Sequence, residues 1–263
     1  MQHLSIMRLH FQAHGEGVPL IIAHGFLGSL DNWRTMSTRL AAHCRVYVVD
    51  LRNHGQSPHS KIMNYLVMAQ DLREFIEEHG LRSPVILGHS MGGKVAMQLA
   101  LQYPEQVDKL VIVDIAPKSY PSMHGQLLTA LRGLRLQTYK FFGEIDSALT
   151  GAIPDPLVRQ FLLKNLTRDP NEGFRWRIAL DAIVENYAEL TKAVAAGSPF
   201  TKPACFIRGG RSNFLVEQDY QSIRGYFPRA QFKTIASAGH WVHIDTPDEF
   251  YRIVTDFIAA SSR

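Results

Sequence analysis

Short apolar runs, rich in β-branched side chains, recur at Leu20 to Ala23, Val46 to Val49, Val85 to Leu87, Val107 to Val113 and Cys205 to Ile207. Continuous runs of this kind suit strands buried on both faces, whereas strict alternation suits strands with one wet face. Helical patterns separate them. Tyr65 to His79 places apolar residues at 65, 68, 69, 72, 75 and 76, a single helical stripe that stops at Gly80. A last helix is predicted to open at Thr246, with Pro247 in its first turn and Glu249 completing a capping box, and to bury Phe250, Ile253, Val254, Phe257 and Ile258. Strands alternating with helices predict an α/β fold with a mostly parallel central sheet and helices on both faces.

Between about Pro117 and Pro199 the strand signal disappears, and Gln126 to Leu134, Leu157 to Leu166 and Ile178 to Ala195 carry helical patterns broken by Gly and Pro. The expected organisation is a core formed by residues 1–116 and 200–263, with a helical cap, residues 117–199, inserted into it. Aromatics of this stretch, among them Tyr120, Phe161, Phe174, Trp176 and Tyr187, are expected mainly to pack the interior of the cap.

Composition agrees with one large globular unit: 263 residues, 46% hydrophobic and 20% charged, exclude a disordered or disulfide-stapled chain. The net charge of +4 is dispersed, with no run of five basic residues, so neither a nucleic-acid nor a membrane partner is expected. Met1 to Phe11 alternates polar and apolar residues without the apolar block of a signal peptide, and no stretch is long enough to cross a bilayer, which makes the cytoplasm the expected location. Cys44 and Cys205 lie in or beside apolar runs and are expected to be buried thiols.

Chemistry enters at Gly88-His89-Ser90-Met91-Gly92, which follows one apolar run and opens a helix ending near Tyr103. A serine on such a turn is held in strain with its hydroxyl exposed, and side chains at 88 and 92 would collide with the neighbouring strand and helix. Gly88 to Lys94 also fits a phosphate-binding Gly-x-x-x-x-Gly-Lys loop, with Asp114 after Leu110 to Val113 as a magnesium ligand. That nucleotidase alternative lacks the Ser or Thr it needs after the lysine, because position 95 is Val. His24-Gly25-Phe26-Leu27-Gly28 follows another strand, and the amides of Phe26 and Met91 are assigned to an oxyanion hole. Leu27 and Trp241 are expected beside the substrate. Gln231 to Ala236 leads into Ala238-Gly239-His240-Trp241, which makes His240 the candidate general base. All three segments should reach the carboxyl edge of the sheet, where ligands bind in folds of this kind.

The acid is less direct. Arg208 to Val216 contains no carboxylate, and Ser212 stands where one is expected. Asp114, ending the preceding strand, is therefore assigned as the orienter of His240, with Glu217 or Asp219 in reserve. His240 and His243 lack a third ligand at metal-site spacing, so no metal is expected. His24 is expected to order its loop, His89 to pack, and Asp50 to be structural. Arg208, Arg211 and Lys94 are a candidate contact for an anionic acyl carrier.

These segments resemble the α/β-hydrolase superfamily, and more closely its YbfF-type esterase group. The resemblance is carried by residues 24–33 (HGFLGSLDNW), 50–58 (DLRNHGQSP), 88–94 (GHSMGGK), 113–117 (VDIAP) and 239–243 (GHWVH), and spans nearly the whole chain. It implies hydrolysis of short acyl esters or thioesters without a cofactor, under a helical cap, with an Asp after the strand and a serine at the usual acid position, here Asp114 and Ser212, as in the group. The limited volume under such a cap sets the expected range at short- to medium-chain acyl groups. Perhydrolysis, carbon–carbon bond hydrolysis and lyase chemistry use the same side chains on this fold. Haloalkane dehalogenases and epoxide hydrolases would be expected to carry Asp in place of Ser90.

Overall fold

The computed structural model describes residues 7–169, 173–195 and 197–260. Residues 1–6, which form most of the stretch read above for a signal peptide, lie outside them. In chain order the strands are β1 (Phe11–His14), β2 (Pro19–Ala23), β3 (Arg45–Val49), β4 (Val85–His89), β5 (Lys109–Val113), β6 (Leu166–Asp169), β7 (Gly173–Trp176), β8 (Ala204–Gly209) and β9 (Ala230–Ile235). Among the described residues, seven form one sheet in the order β1-β3-β2-β4-β5-β8-β9. All its pairings are parallel except that of β1, which runs antiparallel along β3 at the edge.

The continuous apolar runs have a direct structural cause. Leu20, Ile22, Val85, Leu87, Val111, Val113, Cys205 and Ile207 point to one face. Ile21, Ile86, Leu110, Ile112, Ala204 and Phe206 point to the other. Each face is roofed by helices, so both residues of every pair are removed from water, at about 1.5–3 kcal/mol for each large side chain. The first core contains residues of α1 (Arg34–Leu40) and of the C-terminal helix; the second contains residues of α2 (Tyr65–Glu78) and α3 (Met91–Gln102). The Asn64 side chain accepts from the Val67 amide to start α2. Gly80, at φ +60°, ends it as expected.

Between β5 and β8 the chain forms α4 (Gly125–Arg132), α5 (Phe142–Leu149), α6 (Pro156–Leu163), the antiparallel hairpin β6–β7, α7 (Leu180–Glu185) and α8 (Tyr187–Thr191). The hairpin corrects the all-helical reading of this stretch. Its strands have four residues each, and Leu166 and Phe174 are their fully buried members, packing with Leu136 and Ile145 in a small core of their own. A pattern that short carries almost no period. The helix expected over Leu157 to Leu166 accordingly ends at Leu163, and that over Ile178 to Ala195 divides at Asn186, whose side chain donates to the Ala182 and Lys61 carbonyls.

After β8 come α9 (Tyr220–Tyr226), β9, the short α10 (Val242–Asp245) and α11 (Pro247–Ala259). The capping box expected at Thr246 does not form. With α10 directly upstream, the Thr246 hydroxyl instead donates back to the Val242 carbonyl at 3.0 Å. Pro247 and the buried face of Phe250, Val254 and Phe257 are as expected, while Ile253 and Ile258 are only partly buried.

Candidate active site

Ser90 sits between β4 and α3 at φ 52°, ψ −117°, a backbone region that costs about 1–3 kcal/mol for a residue with a side chain. The glycines on either side make the turn possible. A Cβ on Gly88 would lie 2.2 Å from the Gly92 carbonyl oxygen, and one on Gly92 would lie 2.3 Å from that of Ala23. Helix α3 is thereby pressed against the end of β2, beside which Ala23 pairs in register with Gly88. Strand β3 lies to one side of β2 and β5 to the far side of β4, so the segments after β2 and β4 flank a topological switch point.

Asp114 is completely buried, at φ 50°, immediately after β5. Its Oδ2 accepts from His240 Nδ1 at 2.8 Å and from the Ser212 hydroxyl, and its Oδ1 accepts from the Gly209 amide at 3.0 Å. The Ser212 oxygen in turn accepts from the Phe214 amide at 3.2 Å, which leaves the hydroxyl proton for Asp114. With Nδ1–H committed to the carboxylate, the other nitrogen of the His240 ring is free to take a proton. Close backbone approach brings the His240 loop to this point. A Cβ on Gly209 would meet the Gly239 oxygen at 2.1 Å, and the Gly210 and Arg211 amides donate to Ile235 and Ala238. The His240 ring stacks on Phe214 at 4.0 Å, and its carbonyl accepts from His89 Nε2 at 2.9 Å.

The loop after β2 presents two free donors with α3. Among the described residues, neither the Phe26 nor the Met91 amide donates a hydrogen bond within the chain, as expected of a first helical turn and a loop facing a ligand. Leu27 is held on both sides: its amide donates to His54 Nε2 at 3.3 Å, and its carbonyl accepts from Asn165 Nδ2 at 2.7 Å. His54 and Asn165 are positioning residues that the sequence reading missed. His54 stands in the quoted 50–58 segment, where nothing local ties it to Leu27, and Asn165 lies in no quoted motif, 138 positions from its partner.

Two cavities meet at Ser90. The larger, about 340 Å³, is lined by Leu27, Phe161, Leu162, His240, Trp241 and Ile244 among others; the smaller, about 50 Å³, by Met91, Lys94, Ile115, Tyr120, Tyr187 and Leu190 among others. Phe26, Ser90, Met123, His124 and Phe214 border both. Leu27 and Trp241 therefore lie where a substrate contact was expected. Phe174 packs inside the 117–199 segment as anticipated, with the exposed Phe142 edge-on against it, whereas Tyr120, Phe161 and Tyr187 face the cavities.

The other histidines have structural partners or surroundings. His24 donates from Nδ1 to the Gly25 carbonyl and accepts the Leu51 amide on Nε2, and burial lowers its pKa to about 4. Burial drives His89 well below its ordinary value, so it serves as a neutral donor to the His240 loop. His243 stacks flat on Trp33 at 4.0 Å. Among the described residues no cluster of three metal-ligating side chains occurs. Asp50 is structural, accepting the Leu30 and Gln56 amides. Glu217 pairs with Arg208 and Asp219 with Lys118, so neither reserve acid engages His240. Lys94 is buried, which separates it from Arg208 and Arg211 as a surface contact. Cys44 and Cys205 are buried free thiols, both with pKa values raised by burial.

Comparison with known proteins agrees with this geometry. A family model described as alpha/beta hydrolase fold matches residues 18–247. The mouse protein named sn-1-specific diacylglycerol lipase ABHD11 is 36% identical over 248 residues, covering 91% of this chain and 80% of its own. Esterase YbfF of Escherichia coli K12 is 32% identical, covering 91% of this chain and 92% of its own. A solved marine microorganism esterase superposes with a TM-score of 0.93 at 38% identity, over 95% of this chain and 99% of that one. An elbow serine, a carboxylate-held histidine and free amides at the sheet's carboxyl edge thus occur in a chain that belongs to the α/β-hydrolase family, within its YbfF-type esterase group.

Proposed function

We propose that this carboxylic ester hydrolase works through an acyl-serine intermediate at Ser90. The hydroxyl attacks the ester carbonyl while His240 takes its proton; the oxyanion is held by the Phe26 and Met91 amides. His240 then gives the proton to the departing alkoxide, and a water, activated by the same imidazole, releases the acid and regenerates Ser90. Asp114 keeps the imidazole in the required tautomer and stabilises its charged form, and Ser212 fixes the carboxylate. The single observation that carries this reading is the bifurcated acceptor Asp114 Oδ2, which binds His240 and Ser212 at once. No cofactor takes part.

Residues 117–199 act as a cap, since Tyr187 and Phe161 from this segment close the cavities over Ser90. The substrates are short- to medium-chain acyl esters or thioesters, small molecules met in the cytoplasm, because walled cavities of this size limit the acyl chain. Treatment with a fluorophosphonate followed by mass spectrometry should place the adduct on Ser90; an unmodified Ser90 in an active preparation would overturn the assignment. Faster turnover of emulsified long-chain triglyceride than of soluble short esters would overturn the substrate class.

A further inference from the structure

The smaller cavity has a mostly apolar and aromatic lining, yet it contains an ammonium group, that of Lys94. Lys94 lies one helical turn beyond Ser90 on α3, about 6 Å along the axis. The residue is 1% exposed and has no carboxylate within ion-pair distance among the described residues. Its Nζ donates to the Lys192 carbonyl at 2.6 Å and stands over the rings of Tyr65, at 5.2 Å, and Tyr120, at 4.8 Å. A carbonyl and two ring faces satisfy an ammonium only in part, and burying it without an anion is costly. Consistent with that cost, burial lowers its pKa to about 7. Among the described residues no Asp or Glu lines the cavity, while Ser90 and Met91 do.

We propose that Lys94 is a specificity-determining residue that receives a carboxylate at the far end of the acyl chain, making half-esters or thioesters of short dicarboxylic acids preferred substrates. The proposal rests on the serine-hydrolase reading of Ser90 and adds the charge of the acyl group to it. A terminal carboxylate gives the buried ammonium the counter-charge it lacks. The other groups facing this cation, the phenols of Tyr65 on α2 and Tyr120 after β5 and the imidazole of His124, carry no negative charge near neutral pH, since burial raises both phenols and lowers the imidazole.

The test compares monomethyl glutarate with methyl 5-methylhexanoate, in which an isopropyl group replaces the carboxylate, by following acid release. In the wild-type protein the ratio of kcat/KM, charged over neutral, should exceed one at pH 6 and fall severalfold by about pH 9 as the free enzyme's Lys94 loses its proton. The carboxylate is ionised throughout, and any pH response common to both esters cancels in the ratio. Lys94→Met should lower the ratio by about tenfold or more at pH 6, the loss typical of one partner of a buried charge pair, and flatten its pH dependence. A ratio flat with pH in the wild type, or unchanged in Lys94→Met, would overturn the proposal while neutral-ester turnover left the hydrolase reading intact. Failure of both esters, with Ser90 unlabelled by phosphonate, would overturn the hydrolase reading itself.

Discussion

Replacing Asp114 by Asn tests the Ser90–His240–Asp114 arrangement at its least accessible point. The carboxylate accepts three hydrogen bonds, from His240, Ser212 and the Gly209 amide, in a site with no solvent exposure. An amide has one oxygen to offer. If that oxygen stays with Gly209, the new N–H₂ faces His240, which must then accept on Nδ1 and carry its proton on the nitrogen meant to receive the Ser90 proton. If the amide turns over, two N–H groups confront each other at Gly209, at a cost of about 1–3 kcal/mol for the unpaired donor. The first arrangement keeps the backbone bond and so favours the wrong tautomer. Loss of a triad carboxylate in this way lowers turnover by roughly 10²- to 10⁴-fold, or about 3–5.5 kcal/mol of transition-state stabilisation.

The fold should survive, because asparagine tolerates the φ of 50° at this position better than most residues. Ser212→Ala leaves Asp114 bonded to both His240 and Gly209 and removes one bond of about 1–1.5 kcal/mol, so roughly five- to tenfold in rate is the expected loss. The assay is kcat on a soluble ester for both variants, with urea unfolding to verify that each is folded. A greater loss from Ser212→Ala than from Asp114→Asn, or less than about tenfold from Asp114→Asn, would refute the assigned roles.

Because His240 must be neutral to accept a proton, esterase activity should decline on acidification; a rate unchanged between pH 8 and about 5 would contradict a histidine base. His243 is held by burial at a pKa of about 3 with neither ring nitrogen hydrogen-bonded among the described residues, while the unfolded chain's histidine takes a proton near pH 6.5. The unfolded state therefore binds the extra proton, and stability falls as the pH drops below about 6.5. His243→Phe, keeping the stack on Trp33, should gain about 2 kcal/mol more relative to wild type at pH 5 than at pH 7.5 in paired denaturation curves, and equal differences would contradict this. Asn165→Ala should slow turnover severalfold without unfolding the protein, as the Leu27 carbonyl loses its tether; wild-type kinetics would show that the tether does not position the loop. Arg52→Met should destabilise by about 3–5 kcal/mol in urea melts, because Asp71, 2.6 Å from both guanidinium nitrogens it meets and with its pKa already raised to about 6 by burial, would be left in the core without its partner.

Much of this protein is written in local pattern. Runs such as Leu20 to Ala23 and Val85 to Leu87 announce strands covered on two sides because every residue has a core to enter, and the structure sends alternate members into the two cores. The Ser90 turn is equally legible, since Gly88 and Gly92 are demanded by backbone contacts within a few residues or one strand away. His240 and Asp114 were readable as strand-end residues. Their hydrogen bond was not, because it joins positions 126 apart and depends on how closely the Gly209 and Gly239 backbones approach. Only the tertiary structure decided that Ser212 serves Asp114 with its proton and that His54 and Asn165 grip Leu27 from opposite sides. The hairpin β6–β7 also emerged only there, its short strands being stabilised by packing with Leu136 and Ile145 more than by any period of their own. Lys94 shows the limit most clearly. The sequence offers it as the lysine of a phosphate-binding pattern or, beside Arg208 and Arg211, as a contact for an anionic acyl carrier; its burial, the tyrosine rings and the cavity around it come only with folding, since the cost of burying a charge is set by what surrounds it in space.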